Sequence, residues 1–237
     1  MTEWKARRFW QHAGVRSEGD GWQIFLDDRP LRTPGKLPLA VPTRALAQAI
    51  ADEWDAQTDV IAPHTMPLTR AANSAIEKVT PQFDAVAGML TEYGATDLLS
   101  YRAERPEELV RLQAENWDPL IDWAADHLRA PLRVTQGILP VPQDPQVMAR
   151  LDARVRSLDA FGLTALHDLV TLPGSLVIGL AVLHGRIDAE DAHRLSRIDE
   201  EYQIAQWGRD EEAMQAAENR RQAILSAARF WSLARQG

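Results

Sequence analysis

The chain contains no cysteine. Disulfides, thiolate catalysis and any cysteine-ligated zinc or iron–sulfur centre are therefore excluded. Long apolar runs are also missing. The longest, Leu176 to Leu183, falls far short of the roughly 18–20 residues that span a bilayer, so no membrane insertion is expected. The opening MTEWKARRFW has no apolar signal region, and its Lys5, Arg7 and Arg8 make too short a stretch for a mitochondrial presequence. A cytoplasmic location is expected. Surplus positive charge is absent too: the net charge is −8, which leaves no basic footprint for nonspecific nucleic-acid binding. No phosphate-cradling glycine loop or dinucleotide fingerprint occurs, so neither a nucleotide nor another cofactor is expected.

What is present is the composition of an ordinary globular protein, 45% hydrophobic and 25% charged over 237 residues. That length buries either one large domain or a small domain and a larger one. Arginine outnumbers lysine 23 to 3, which points to a GC-rich genome more than to a function. The acidity is localised. Between Asp188 and Glu218 ten acidic residues face three arginines, so most of the excess negative charge sits in one late segment.

Residues 1–42 differ from everything after them. His12 to Arg16, Trp22 to Leu26, Arg29 to Thr33 and Leu37 to Val41 are short extended candidates. Turn chemistry separates them at Glu18-Gly19-Asp20-Gly21, Asp27-Asp28 and Pro34-Gly35-Lys36. Trp22, Ile24 and Leu26 alternate with Gln23 and Phe25, the period-two pattern of a half-buried strand. Thr43 caps a covering helix to about Gln57, and from there the chain reads as almost wholly helical. Leu68 to Val79 is one helix; Pro106 to His127 is long and expected to break or kink at Pro119. Leu132 to Ile138 is the one extended insertion. The segment GSLVIGLAVL is apolar nearly all round and reads as the buried centre of a bundle, with Gly179 allowing close helix approach. Asp188 begins a long acidic helix. In the last helix Met214, Ala217, Ile224, Leu225, Ala228 and Trp231 form the expected core face. The fold class is α+β: a small N-terminal antiparallel β-rich domain over residues 1–58, with one covering helix, followed by a larger helical domain over 59–237.

The stretch SRIDEEYQIAQWGRDEE, Ser196 to Glu212, stands out. At 100° per residue Leu195, Ile198, Tyr202 and Ala205 share one narrow face, an ordinary core stripe. Ile204 and Trp207 point roughly the other way, near Glu200 and Glu201. Gly208 is a plausible left-handed stop, and Asp210 a plausible cap for the next helix. In one reading Trp207 packs into a neighbouring helix and the acids are solvated. In the other this is a partner site, an aromatic anchor inside a charged rim.

Residues for chemistry are harder to find. His184 and His193 flank Asp188, Glu190 and Asp191, but their spacing matches no zinc signature, and no metal is expected. Ser175 lacks the surroundings of a nucleophile elbow and reads as a helix cap. The alternative, a small hydrolase or transferase, would use Asp97, Arg102 and the Thr69-Arg70-Asn73 cluster together, converging in a pocket with a perturbed carboxylate.

An ordered series of short motifs resembles a known family. It comprises Gly21-Trp22, Leu26-Asp27, Arg29-Pro30-Leu31-Arg32-Thr33-Pro34, the run from Ala51 to Gln57, and Met66-Pro67-Leu68-Thr69-Arg70. It continues with Thr96 to Arg102, Trp117-Asp118-Pro119-Leu120, Leu172 to Leu176, Tyr202-Gln203 and Gln206-Trp207-Gly208. The series covers essentially the whole chain and is similar to that of the assembly chaperones of the F-type ATP synthase. The resemblance implies a non-enzymatic protein with a small β-rich domain joined to a helical one. It also implies a partner, the unassembled alpha subunit of the catalytic head, whose beta-facing surface the chaperone shields. An essential acidic position in the late helical region is implied as well, for which Glu200, Glu201, Asp210 and Glu211 are candidates. With Ile204 and Trp207 they make up the expected partner site. Mitochondrial members carry a presequence; the expectation here is a bacterial cytoplasmic member.

Overall fold

The computed structural model describes residues 7–19, 21–137 and 139–236. Lys5 of the basic start, Asp20 of the first turn and Ile138 at the end of the extended insertion lie outside the described residues. The chain forms two compact units. One runs to Phe83 and takes in Ala160–Thr164 and the stretch from Arg229 onward, reaching past the 58/59 boundary expected from sequence. The other comprises Asp84–Asp159 and Ala165–Ala228.

In the first unit β1 (Ala13–Glu18) pairs antiparallel with β2 (Gly21–Leu26), with Val15 opposite Ile24. Strand β2 also pairs with β3 (Arg29–Pro30) and β4 (Ala40–Val41), so Pro30 falls on a short outer strand. Ile24, Leu26, Leu31, Leu39 and Val41 are buried. The expected alternation is imperfect: Gln23 is buried, and half-buried Phe25 carries the Arg16 guanidinium 4.3 Å from its ring centroid. Helix α1 (Arg44–Asp55) covers this sheet through Leu46, Ala47, Ile50 and Ala51. Thr43 caps it by accepting from Leu46 N at 3.1 Å, while its hydroxyl donates to Leu233 O at 2.6 Å. Glu53 of α1 in turn caps α2 (Pro67–Ser74), accepting from Leu68 N at 2.7 Å and from Thr69 N at 2.8 Å. The expected helix 68–79 changes character after Ser74, where Ala75–Val79 forms one wide π turn.

The second unit begins with most of α3 (Phe83–Glu92) and the short β5 (Tyr101–Arg102). Helix α4 (Glu107–His127) follows, then β6 (Thr135–Gln136), which pairs parallel with β5. Helix α4 runs unbroken through Pro119, so the chain does not divide into two helices there. Proline removes one helical hydrogen bond, and the flanking Trp117 and Leu120 are buried, with Trp117 Nε1 donating to Leu195 O at 2.9 Å. Next come α5 (Pro145–Arg156), α6 (Ala160–Thr171) and α7 (Leu176–Leu183). All eight residues of α7 are buried. A Cβ at Gly179 would meet Val170 Cγ2 at 2.6 Å and Leu169 O at 3.0 Å, so only glycine permits this approach to α6. The chain then forms α8 (Ala189–Ser196), α9 (Ile198–Trp207) and α10 (Glu211–Ala234). The antiparallel strands followed by helices make the fold α+β.

Candidate functional site

The expected long acidic helix is two helices. Asp188 opens α8 by accepting from Asp191 N at 2.7 Å, and the chain breaks at Arg197, where φ is −117° and ψ 15°. No glycine or proline marks this break. Leu195 and Ile198 are buried on either side of it. Beyond Ile198 the predicted core stripe fades: Tyr202 is half-buried and Ala205 exposed. Ile198 alone is buried among the ten residues of α9.

Trp207 is 82% exposed. The reading in which it packs into a neighbouring helix is thereby excluded, and the largest apolar side chain of α9 is left in solvent. Ile204 separates from it. It is half-buried and lines a groove of about 280 Å³ with Met214 and Ala217 of α10. Met214, expected in the core, is 44% exposed; Ala217, Ile224, Ala227 and Phe230 are the buried residues of α10. Gly208 has φ 95° and ψ 176°, so the turn is extended rather than left-handed helical, a backbone that favours glycine. Asp210 caps α10, accepting from Ala213 N at 2.8 Å.

The four candidate acids differ in what they touch. Glu200 accepts from Arg197 Nε at 2.9 Å and from Arg220 Nη1 at 3.0 Å. Glu201 pairs with Arg197 Nη1 at 2.6 Å. Arg197 is buried, so these two acids balance a charge removed from water. Burial pushes the Glu200 carboxyl up, but the hydrogen bonds from Arg197 and Arg220 outweigh it and hold it below the ordinary glutamate value. The Glu211 side chain is exposed and makes no hydrogen bond or ion pair among the described residues. Glu200 therefore serves the fold first, Asp210 serves as a cap, and Glu211 is available to a partner.

Sequence reasoning missed Arg197 and Arg220, which organise this face, although the spacing of Arg197 to Glu200 and Glu201 is that of helical ion pairs. It also passed over Asp199, whose carboxylate accepts from Gln113 Nε2 at 2.6 Å. Gln113 is buried and accepts in turn from Ala103 N at 2.8 Å, which ties the start of α9 to α4.

The groups an enzyme would need are committed elsewhere. Asp97 is completely buried, and burial pushes its carboxyl up to about 6 against hydrogen bonds from Val177 N, Ser175 Oγ and Leu99 N. Ser175 caps α7, accepting from Ile178 N at 3.0 Å. Arg102 donates to Leu99 O at 2.9 Å, pairs with Asp118 at 2.7 Å and stacks 5.3 Å from the Trp117 ring. Arg70 is exposed and belongs to the other unit, and Thr69 bonds Glu53. Among the described residues no three His, Asp or Glu side chains are grouped to hold a metal, and no helix is long and apolar enough to cross a membrane.

Comparison with known proteins gives this surface a context. The model of the family described as "ATP12 chaperone protein" matches residues 7–125. The crystal structure of Atp12 from Paracoccus denitrificans is similar at 68% identity, covering 98% of this chain and all of that one, with a TM-score of 0.96. An aspartate-to-lysine mutant of the same Paracoccus protein matches at 67% identity over 99% of this chain and all of that one, also at TM-score 0.96. "Protein atp12, mitochondrial" of the fission yeast Schizosaccharomyces pombe is 28% identical over 221 residues, 87% of this chain and 75% of its own length. The match in sequence and in fold places this chain in the ATP12 chaperone protein family, the ATP synthase assembly chaperones that its motifs resemble.

Proposed function

We propose that this protein binds the unassembled alpha subunit of the F-type ATP synthase and covers the surface that subunit later presents to its neighbour. One observation carries the reading: a tryptophan 82% exposed at the end of a helix, beside the exposed acids Asp210 and Glu211. Exposing an indole to water is unfavourable, and such side chains are enriched where proteins meet. An unassembled subunit displays a large apolar interface that aggregates unless covered. The partner site comprises Trp207 and Ile204 with Asp210 and Glu211, while Glu200 and Glu201 hold the face in shape through Arg197. The protein acts by binding rather than by turnover, needs no cofactor and works in the bacterial cytoplasm. The chaperone names of its relatives and the structural commitments of Asp97 and Arg102 support this.

The test is light scattering of isolated alpha subunit diluted from denaturant. Wild-type protein suppresses aggregation at stoichiometric ratios, and Trp207→Ala needs a several-fold excess for the same effect. Equal suppression by both proteins refutes the site. Failure of the wild type refutes the choice of client.

A further inference from the structure

A groove where α4 and α5 end carries charge of one sign. About 390 Å³ in volume, it is lined by Leu128 and Arg129 from the end of α4, by Arg150, Ala153 and Arg154 of α5, and by Ser157, the residue that closes α5. Leu128 is buried beneath it, and the three arginines are exposed. Among the described residues no acid lines the groove, and none of the three arginines has an ion pair. Asp152, the one acid of α5, accepts instead from Arg156 Nε at 2.8 Å and from Thr91 Oγ1 at 3.2 Å.

Three like charges share this place at a cost. Arg150 and Arg154 are four residues apart on one helix, a spacing at which like charges repel. Arg150 is also held there, because its Nη1 donates to Arg129 O at 2.7 Å. Each helix C-terminus carries roughly half a negative charge, so the two ends offset about one of the three positive charges and about two remain. This local surplus runs against a chain whose net charge is −8. The Ser157 hydroxyl donates to Arg154 O at 2.7 Å, which leaves guanidinium N–H groups as the means of holding an anion. A compact phosphate is commonly gripped by backbone N–H groups at a helix N-terminus, whereas the two helix ends here present carbonyls. Carboxylates on flexible side chains suit the guanidinium heads, which they meet bidentately.

We propose that this groove receives an acidic segment of the client, a contact additional to the one made by α9 and α10. Two carboxylates of the segment meet Arg129, Arg150 and Arg154, and the chain between them lies over Ala153 and the aliphatic stems of the arginines. The proposal rests on the alpha-subunit reading and names the chemistry of a further segment held.

The full-length protein with Ala153 replaced by p-benzoylphenylalanine is irradiated with isolated alpha subunit, and the crosslinked peptides are mapped. Crosslinks are expected in a client segment carrying two aspartates or glutamates within a few residues of the attachment point. Capture is also compared for Arg154→Glu and for Arg186→Glu, which makes the same change in net charge at an exposed arginine outside the groove lining. Arg154→Glu weakens capture at least several-fold and flattens its salt dependence with the melting temperature preserved, and Arg186→Glu leaves capture unchanged. Crosslinks confined to basic or uncharged segments, no crosslink despite capture, or equal capture by the two variants overturns the groove assignment and leaves the client intact. Release of the client by inorganic phosphate at matched ionic strength overturns it as well, because the groove is then a phosphate site. No capture by the wild-type protein overturns the alpha-subunit reading, and the proposal falls with it.

Discussion

Nη1 of Arg197 lies 2.6 Å from Oε1 of Glu201, and the guanidinium that makes this contact is buried while the carboxylate is about half exposed. An acid that looks available from the sequence is therefore part of an internal lattice, which Glu200 and Arg220 extend. This arrangement separates residues that shape the α9 face from residues that can meet a partner.

Trp207→Ala is the cleanest probe of the second class. The side chain is 82% exposed, so stability changes by no more than about 0.5 kcal/mol. Loss of an interface anchor of this kind weakens client binding at least about tenfold. Thermal unfolding and titration with the alpha subunit, done on the same sample, check both halves.

Glu200→Lys and Glu211→Lys differ in the opposite sense. Reversing Glu200 leaves buried Arg197 with Glu201 alone and Arg220 without its ion pair. The expected cost is about 1–2 kcal/mol, less than for a fully buried pair because Glu200 keeps access to water. Reversing Glu211 leaves stability unchanged and weakens capture. Urea unfolding of the two variants separates them.

Gly179→Ala tests the packing of α7. The added methyl would sit 2.6 Å from Val170 Cγ2 and 3.0 Å from Leu169 O. Overpacking of this kind costs about 1–3 kcal/mol, partly offset by about 1 kcal/mol of helix propensity. A lowered midpoint in chemical unfolding is the expected outcome.

Asp97 carries a pH signature. Burial raises its carboxyl to about 6 in the folded protein, above the ordinary aspartate value of 3.8. A raised folded pKa means that the folded state binds the proton more tightly. The contribution is fully present below pH 3.8 and is lost as pH rises through about 6. Over that interval it is worth about 3 kcal/mol. Glu200, held below its ordinary value, acts the other way and loses its contribution as pH falls through its lowered value. The difference in stability between the wild type and Asp97→Asn isolates the Asp97 part: the wild type declines relative to the variant between pH 4 and pH 6. A constant difference across that range contradicts the assignment.

Local chemistry explains which features could be read from the sequence. Thr43, Ser175, Asp188 and Asp210 each start a helix, because a side-chain acceptor just ahead of a helix satisfies free N–H groups wherever the rest of the chain lies. The burial of α7 follows equally from its uninterrupted apolar run. Other features depend on partners remote in sequence. Asp97 meets Ser175 across 78 positions, and Gln113 meets Asp199 across 86. The break at Arg197 has no local signal, since neither glycine nor proline is present and the apolar spacing carries straight through. At the candidate site Trp207 was legible as an apolar residue off the core face, but its exposure depends on how little of α9 is packed. The division of labour between Glu200 and Glu211 was hidden for the same reason, because Arg220 lies one helix away.

The most direct measurement is backbone hydrogen exchange of the free protein and of its complex with isolated alpha subunit. Amides from Ile198 to Ala217 should slow at least several-fold in the complex, because the α9–α10 face and its groove are then covered. Unchanged exchange there, with protection confined to other elements, would contradict the account.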